Sequence, residues 1–539
     1  MIIWIWTAAF TAALLLYFRQ RCIRFSFHGV KTLYPYPFFG NMARVAFNID
    51  NIAKHMDSYY QAFPGEKFVG KYEFMKPVLI VHDLDLVKRI TVKDFENFID
   101  HRSFVSEDVE PLFARNLISL KGQEWKDMRS TLSPAFTSSK IKLMVPFMEE
   151  VGEQMIQALK KQIKESPTGS IDADCKDLTA RYANDVIASC AFGLKVDSHT
   201  DRNNQFFQMG TNATSFTWRQ MILFFVISAS PALARKLKLT LFSNKTREFF
   251  IKLVMGTMKD REDRNIIRPD MIHLLMESKK GVLSHEDICS TDNEPHGRDA
   301  GFATVEESTV GKKNIHRDWA DIDLVAQATL FFLAGFETVS TGMSFALHEL
   351  ALHPDIQDRL YQEIKESDRK HGGKLTYAAI QNMTYLDMVV SEVLRMWPPG
   401  LALDRYCVKN YNIGRPNDQV TNDYIIYEGE VVSIPVWCFH HDPKYFPDPE
   451  TFDPERFSDD NKHFINPMAY LPFGSGPRNC IGSRFALCEL KVLLYQILLN
   501  IEVAPSAKTR LPSRLAPGSF NLRLKGGHWL AFKLRAEIC

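Results

Sequence analysis

The chain opens with an apolar run, MIIWIWTAAFTAALLLYF, that carries no charged side chain through residue 18. As a helix it would span about 27 Å, which matches the hydrocarbon layer of the endoplasmic reticulum, roughly 27 Å thick. Trp4, Trp6 and Tyr17 suit the two interfaces. Arg19, Arg21, Arg24 and Lys31 come next, and the first acidic residue is Asp50, so the positive-inside rule places the remainder of the chain in the cytoplasm. A cleaved signal peptide would carry its positive charge ahead of the apolar run. The pattern therefore predicts an uncleaved, single-pass anchor over 1–18 and a basic linker over 19–34.

Beyond the linker, YPYPFFGN holds Pro35 and Pro37, which block helix propagation and predict an extended exit from the membrane. Two short runs rich in β-branched and aromatic residues, 67–74 and 76–83, predict a hairpin. From residue 120 onward the apolar positions recur at helical spacing. Residues 284–318 lack any sustained apolar period and predict a long surface loop between two helical blocks. VVSIPVW and FNLRLKGGHWLAFKL read as late strands, the second folded back at Gly526 and Gly527. Regular alternation of strand and helix is missing. The expected fold class is mostly α, in the α+β sense, with one large domain over 35–539 and small sheets at one side.

Composition narrows function by exclusion. Lys+Arg 65 against Asp+Glu 64 leaves a formal charge of +1, so nothing global points to nucleic acid. Nine cysteines are scattered without zinc-type pair spacing, which suits a reduced, cytosol-facing body in which most thiols pack as small hydrophobes.

Cys480 stands apart, in FGSGPRNCIGSRF at 473–485. Its surroundings admit three readings: packing residue, nucleophile or metal ligand. Gly474, Gly476 and Gly482 let the backbone bend close to a flat object. RFALCELKVLLYQIL behind them is helical, so the sulfur precedes a helix N-terminus, where negative charge is favoured. A nucleophile would need a nearby histidine base, which the sequence neither shows nor excludes.

The spacing F-x-x-G-x-R-x-C-x-G, met by Phe473, Gly476, Arg478, Cys480 and Gly482, resembles the haem-binding loop of the cytochromes P-450. AGFETVS at 334–340 is similar to the oxygen-groove motif of that family's central helix. EVLR at 392–395 matches its E-x-x-R, FDPERF at 452–457 its arginine-bearing meander, and WKDMR at 125–129 its W-x-x-x-R. DHRSF, LSPAFTSSKIK and AGFETVS look most like insect microsomal members of family nine, related to the vertebrate drug-metabolising family three.

The resemblance implies haem b, with Cys480 as the metal ligand whose thiolate favours O–O cleavage over reversible oxygen carriage. It implies Trp125, Arg129, Arg405 and Arg478 as donors to the two propionates, with His101 beside them at a place where relatives often carry arginine. Glu392 and Arg395, three apart on a helix, would form a structural ion network with Arg456. Glu337 and Thr338 would deliver protons to dioxygen, in a helix locally widened where the threonine bonds a carbonyl one turn back. Val339 departs from the hydroxyl frequent there, with Ser340 next along. Pocket segments would lie around Phe104 to Phe113, Phe206 to Phe216, Leu333 and Ala334, Gly400 to Leu403, and His528.

The implied activity is a haem-thiolate monooxygenase acting on lipophilic small molecules in the endoplasmic reticulum membrane. NADPH would enter only indirectly, through NADPH-cytochrome P-450 reductase, with cytochrome b5 as an additional partner. Lys121, Lys126, Lys140 and Lys142 offer a basic patch for such an acidic donor. Xenobiotic detoxification is the implied role, and an endogenous hormone or lipid hydroxylase its nearest rival. A haem-thiolate isomerase or dehydratase working on peroxides without NADPH, and a non-enzymatic haem or ligand carrier, are the other classes.

Overall fold

A computed structural model describes residues 2–535 apart from 104–106, 215–219, 221–222, 224–225, 228–229, 241, 281–300, 307–309, 311–316 and 519–520. The apolar N-terminal run forms one helix, Ile2–Arg21, with Trp4 and Trp6 exposed. Of its described residues only Phe18, near its end, is buried, whereas Phe25 and Val30, a few residues on, belong to the core. Arg24 reaches back to Tyr424 and Glu430, so the basic stretch is tied to the globular body.

Helices make most of that body. The longest, Asp321–Leu352, runs 32 residues through its centre. It is apolar on every side and long enough to cross a membrane, yet two-thirds of its most apolar window is buried inside the protein, which marks a core helix. Helix Cys175–Phe192 lies along it, with Ile187 set 2.9 Å from where a side chain on Gly335 would begin. Helix Ser483–Asn500 packs against the same helix further on, where Gly342 faces Leu490. Helix Thr384–Met396 completes the central group.

Strands Phe68–Glu73 and Lys76–Val81 form the expected antiparallel hairpin. Val431–Ile434 adds in parallel to its second strand, and Leu403–Tyr406 pairs antiparallel with Val431–Ile434, closing a four-stranded mixed sheet. Within it Arg405 sits opposite Val432, on a strand whose other residues are only half-buried. Ser170–Asp174, Trp529–Leu534 and Ile501–Pro505 form a second sheet.

Three expectations need correction. The chain turns near Gly526 and Gly527, both at positive φ, but the segment before the turn does not pair with Trp529–Leu534. Leu524 bridges Leu515, and the last strand is held by two partners distant in sequence. VVSIPVW is strand only through Ile434, because Pro435 ends the ladder and Val436–His440 turns helical. The stretch 284–318 is also not uniformly a surface loop. Of its described residues, Ala303 and Val310 are buried, and Trp319, just beyond it, is buried too. Residues 284–300 lie outside the described residues.

Candidate active site

The turn that carries Cys480 is closed by its own backbone, the Cys480 amide donating to the Phe473 carbonyl at 2.9 Å. Gly474 and Gly476 take positive φ to make that closure. At Gly476 an added Cβ would lie 1.8 Å from the Thr91 carbonyl oxygen, so neighbouring backbone, more than approach to a flat cofactor, demands glycine there. Cys480 is exposed and stands just ahead of helix Ser483–Asn500, whose first turn offers amide N–H groups to a negative sulfur. Cys175, Cys190, Cys438 and Cys488 are buried instead, and burial pushes their thiols up, Cys488 to about 12. Packing describes those four.

Buried guanidinium groups gather behind the turn. Arg478 donates to the carbonyls of Ile99 at 2.7 Å, Leu117 at 3.1 Å and Leu120 at 2.8 Å, and meets Asp100 at 3.5 Å. Its guanidinium carbon lies 4.0 Å from the centroid of the Trp125 ring. Arg129, four residues after Trp125 on helix Gly122–Leu132, donates to the carbonyl and side-chain oxygen of Asn479 at 2.7 and 2.8 Å. Arg405 donates to the Ser475 carbonyl at 3.1 Å, while its buried Nε finds no partner among the described residues. Burial pushes Arg405 down to about 10. Burial also pushes Arg478 well down despite Asp100, and the charges of Arg405 and Arg129 add to that push.

This donor set has more cation than anion and an unspent N–H, which is the complement of a buried group bearing two carboxylates. Haem b, with two propionates and an iron that accepts a thiolate, fits it. His101 is placed differently from the arginines. Its Nδ1 lies 3.0 Å from Asp404, and burial holds it below the usual imidazole range, so near neutrality it is the uncharged donor to an ionised Asp404. Burial opposes the charge on Asp404, yet His101 and the Arg102 amide hold that carboxyl at about 2.

On the central helix Thr338 is exposed and donates to the Ala334 carbonyl one turn back, at 2.6 Å. The helix stays α-helical without a break through this turn, so the expected widening reduces to that hydroxyl bond. Glu337 faces elsewhere. It is buried, with Lys176 and Arg523 each 3.3 Å from its Oε1. Lys176 also donates to Ser340 Oγ at 2.7 Å and Thr341 Oγ1 at 2.9 Å. Burial pushes Lys176 down to about 8, against the pull of Glu337. Neither cation was legible in the sequence: they come from positions 161 and 186 residues away, and Lys176 opens a helix that carries several other polar and charged residues.

A cleft beside the same helix is lined by Leu112, Phe113, Ala213, Phe242, Phe250 and Leu333. Phe113 and Leu333 were expected there, and Phe242 and Phe250 were not. Phe104 and Phe216 lie outside the described residues. His528 is buried against Phe345, with ring centroids 4.8 Å apart. Lys142 is exposed, whereas Lys126 is tied to Glu96 at 2.8 Å. Farther from the turn, Glu392 and Arg395 are wholly buried and doubly bonded at 2.7 and 2.8 Å, with Arg456 at 3.4 Å from Glu392.

A helical core around one long helix, an exposed cysteine at a glycine turn and a cradle of buried arginines define a haem protein of the thiolate class. The family model Cytochrome P-450 matches residues 30–530. Cytochrome P-450 9e2 of Blattella germanica is 44% identical over 549 residues, covering 99% of each chain. Probable cytochrome P-450 9f2 of Drosophila melanogaster is 41% identical, covering 98% of this chain and 99% of its own. Probable cytochrome P-450 6a13 of the same fly is 38% identical over 96% of both. The chain belongs to the cytochrome P-450 family: it is a haem-dependent monooxygenase whose electrons come from a reductase and whose substrate is a small molecule.

Proposed function

We propose that this protein is a membrane-anchored detoxifying monooxygenase, held in the endoplasmic reticulum by Ile2–Arg21 with its body on the cytoplasmic side. The observation that carries the substrate reading is the cleft beside the central helix, whose exposed wall comes mainly from Phe113, Phe242, Phe250 and Leu333 with Glu110, Thr246 and Arg247 also along it, which suits lipophilic compounds. Similarity to families nine and six of insects supports xenobiotic oxidation over hormone synthesis.

Bound haem supplies the activation of dioxygen. Cys480 would hold the iron, while Arg478, Arg405, Arg129 and Trp125 would bind the propionates. His101 acts one step back, orienting Asp404 next to Arg405. Thr338, whose hydroxyl proton is directed at Ala334, would receive and pass protons, and Glu337, which faces Lys176 and Arg523, would take part through that buried network. Lys142 and its neighbours would face NADPH-cytochrome P-450 reductase, with cytochrome b5 as a second donor.

The test is reconstitution with reductase, binding spectra across plant compounds, insecticides and steroids, and identification of products. Substrate-dependent NADPH oxidation with oxygenated plant compounds or insecticides is expected. Turnover confined to steroids would replace detoxification with hormone hydroxylation.

A further inference from the structure

Gly301–Glu306 crosses the molecule beside the cysteine turn, and its contacts are specific. The Phe302 ring lies 5.2 Å from Phe457 of the meander and 5.5 Å from Tyr470, which leads into the turn. The Phe302 amide donates to Asp387 at 2.9 Å, and Asp387 in turn pairs with the buried Lys491 at 2.9 Å. Gly301 has φ +127, and an added Cβ would meet Asp387 Oδ1 at 1.9 Å. Ala303, next along, is buried. The far end of the segment reaches Asn479: the Glu306 carbonyl accepts from Asn479 Nδ2 at 2.9 Å.

Asn479 precedes Cys480 and is held on its other atoms by Arg129. Its side chain is therefore fixed from two sides, by an arginine of the propionate cradle and by this segment. Phe302 acts as a peg and Gly301 allows the close approach to Asp387. The Glu306 carbonyl is the clamp.

We propose that Gly301–Glu306 is a positioning strap for the haem ligand, fixing the Cys480 turn through Asn479. Phe302 and Gly301 are then positioning residues that touch neither haem nor substrate. The strap stiffens the turn, keeps the Cys480 amide on Phe473 and thereby preserves the sulfur as a thiolate on iron. The inference rests on Cys480 being that ligand, and it is independent of which compound the enzyme oxidises.

The experiment compares full-length, haem-loaded protein carrying Phe302→Ala, Gly301→Ala, the milder Phe302→Leu, and Phe302→Tyr, which keeps the ring. Two quantities are read: amide hydrogen exchange in the peptide spanning 473–480, and the rate at which the reduced carbonyl complex loses its thiolate-type Soret band in mild denaturant. Losing the ring's packing, or displacing Asp387 with the new Cβ, should free Asn479 from the Glu306 carbonyl, and one hydrogen bond so lost should accelerate both about five- to tenfold in Phe302→Ala and Gly301→Ala. Phe302→Leu should fall between, and Phe302→Tyr should match the parent. Exchange that rises only within 301–306, with 473–480 and the Soret band unmoved, overturns the strap and leaves it a passive cover. A parent protein lacking the thiolate band would instead sink the ligand assignment, and amide exchange at 473–480 would still decide whether the strap holds the turn.

Discussion

The guanidinium of Arg478 lies over the indole of Trp125, 4.0 Å from carbon to ring centroid, in a site where both side chains are buried. The motif spacing presents them as two separate donors to the propionates. Their stacking makes Trp125 also the floor on which Arg478 rests, a cation–π contact of about 2 kcal/mol when desolvated.

Trp125→Ala should therefore cost more than one lost hydrogen bond. It removes the ring under Arg478 and opens a core cavity, together about 3–5 kcal/mol. Trp125→Phe keeps a ring face and should retain most haem. The rate of haem transfer to a scavenging apoprotein measures both, and equal rates in the two variants would refute the stacking role.

Glu392→Ala should yield little holoprotein. The carboxylate accepts two bonds from Arg395 and one from the Asp453 amide, and Arg456 lies near, all with Glu392 and Arg395 fully buried. Removing it strands buried cations at about 3–5 kcal/mol. Recovery of Glu392→Ala at parental haem content and melting temperature would show that the network is dispensable.

What the sequence exposed, and what it hid, divides along contact range. The Cys480 turn, the helix behind it, Trp125 with Arg129, and Glu392 with Arg395 are local spacings, and each is visible as a short pattern. The threonine bond to Ala334 was legible for the same reason, since a helical hydroxyl reaches only the carbonyls of the turn before it. Lys176 and Arg523 reach Glu337 from remote elements, and no local pattern marks them. Phe302 was hidden by its charged neighbours: one aromatic residue creates no periodicity, although it fills a specific pocket. The late hairpin failed because a turn at Gly526 and Gly527 says where a chain reverses and nothing about which strand it then joins.

Thr338→Ala should raise peroxide released per NADPH oxidised, because the hydroxyl nearest the exposed face of the central helix is lost. Lys176 adds a pH dependence. Its amine is held near 8, so raising pH through that value removes a charge 3.3 Å from Glu337. Coupling should decline above about pH 8 in the parent and lose that inflection in Lys176→Met. Peroxide and product counted together across the pH series decide it, and an unshifted inflection in the variant would remove Lys176 from the path.

His440 predicts acid lability. Its Nε2 lies 2.9 Å from the Leu471 amide, which can only donate, so Nε2 is the acceptor and Nδ1 carries the proton to the Arg395 carbonyl at 3.0 Å. A second proton would set Nε2–H against the amide N–H. Burial, with the charge of His441, pushes His440 down to about 3 in the folded protein. An unfolded histidine titrates near 6.5, so between these values the unfolded chain binds more protons. The stability contribution is complete above about pH 6.5 and declines as pH falls, by up to about 1.36 kcal/mol per unit for one such group. His82, His199 and His528 are buried and held at about 4, 4 and 3, so their slopes add in the same direction. Denaturation midpoints should fall steeply below about pH 6.5, and His440→Gln, which can still donate and accept, should lessen that fall by about 1.4 kcal/mol at pH 5.5. A variant with the parental slope would mean that His440 takes up its proton without loss of the Leu471 bond, and that the link from Arg395 to the cysteine turn does not depend on a neutral imidazole.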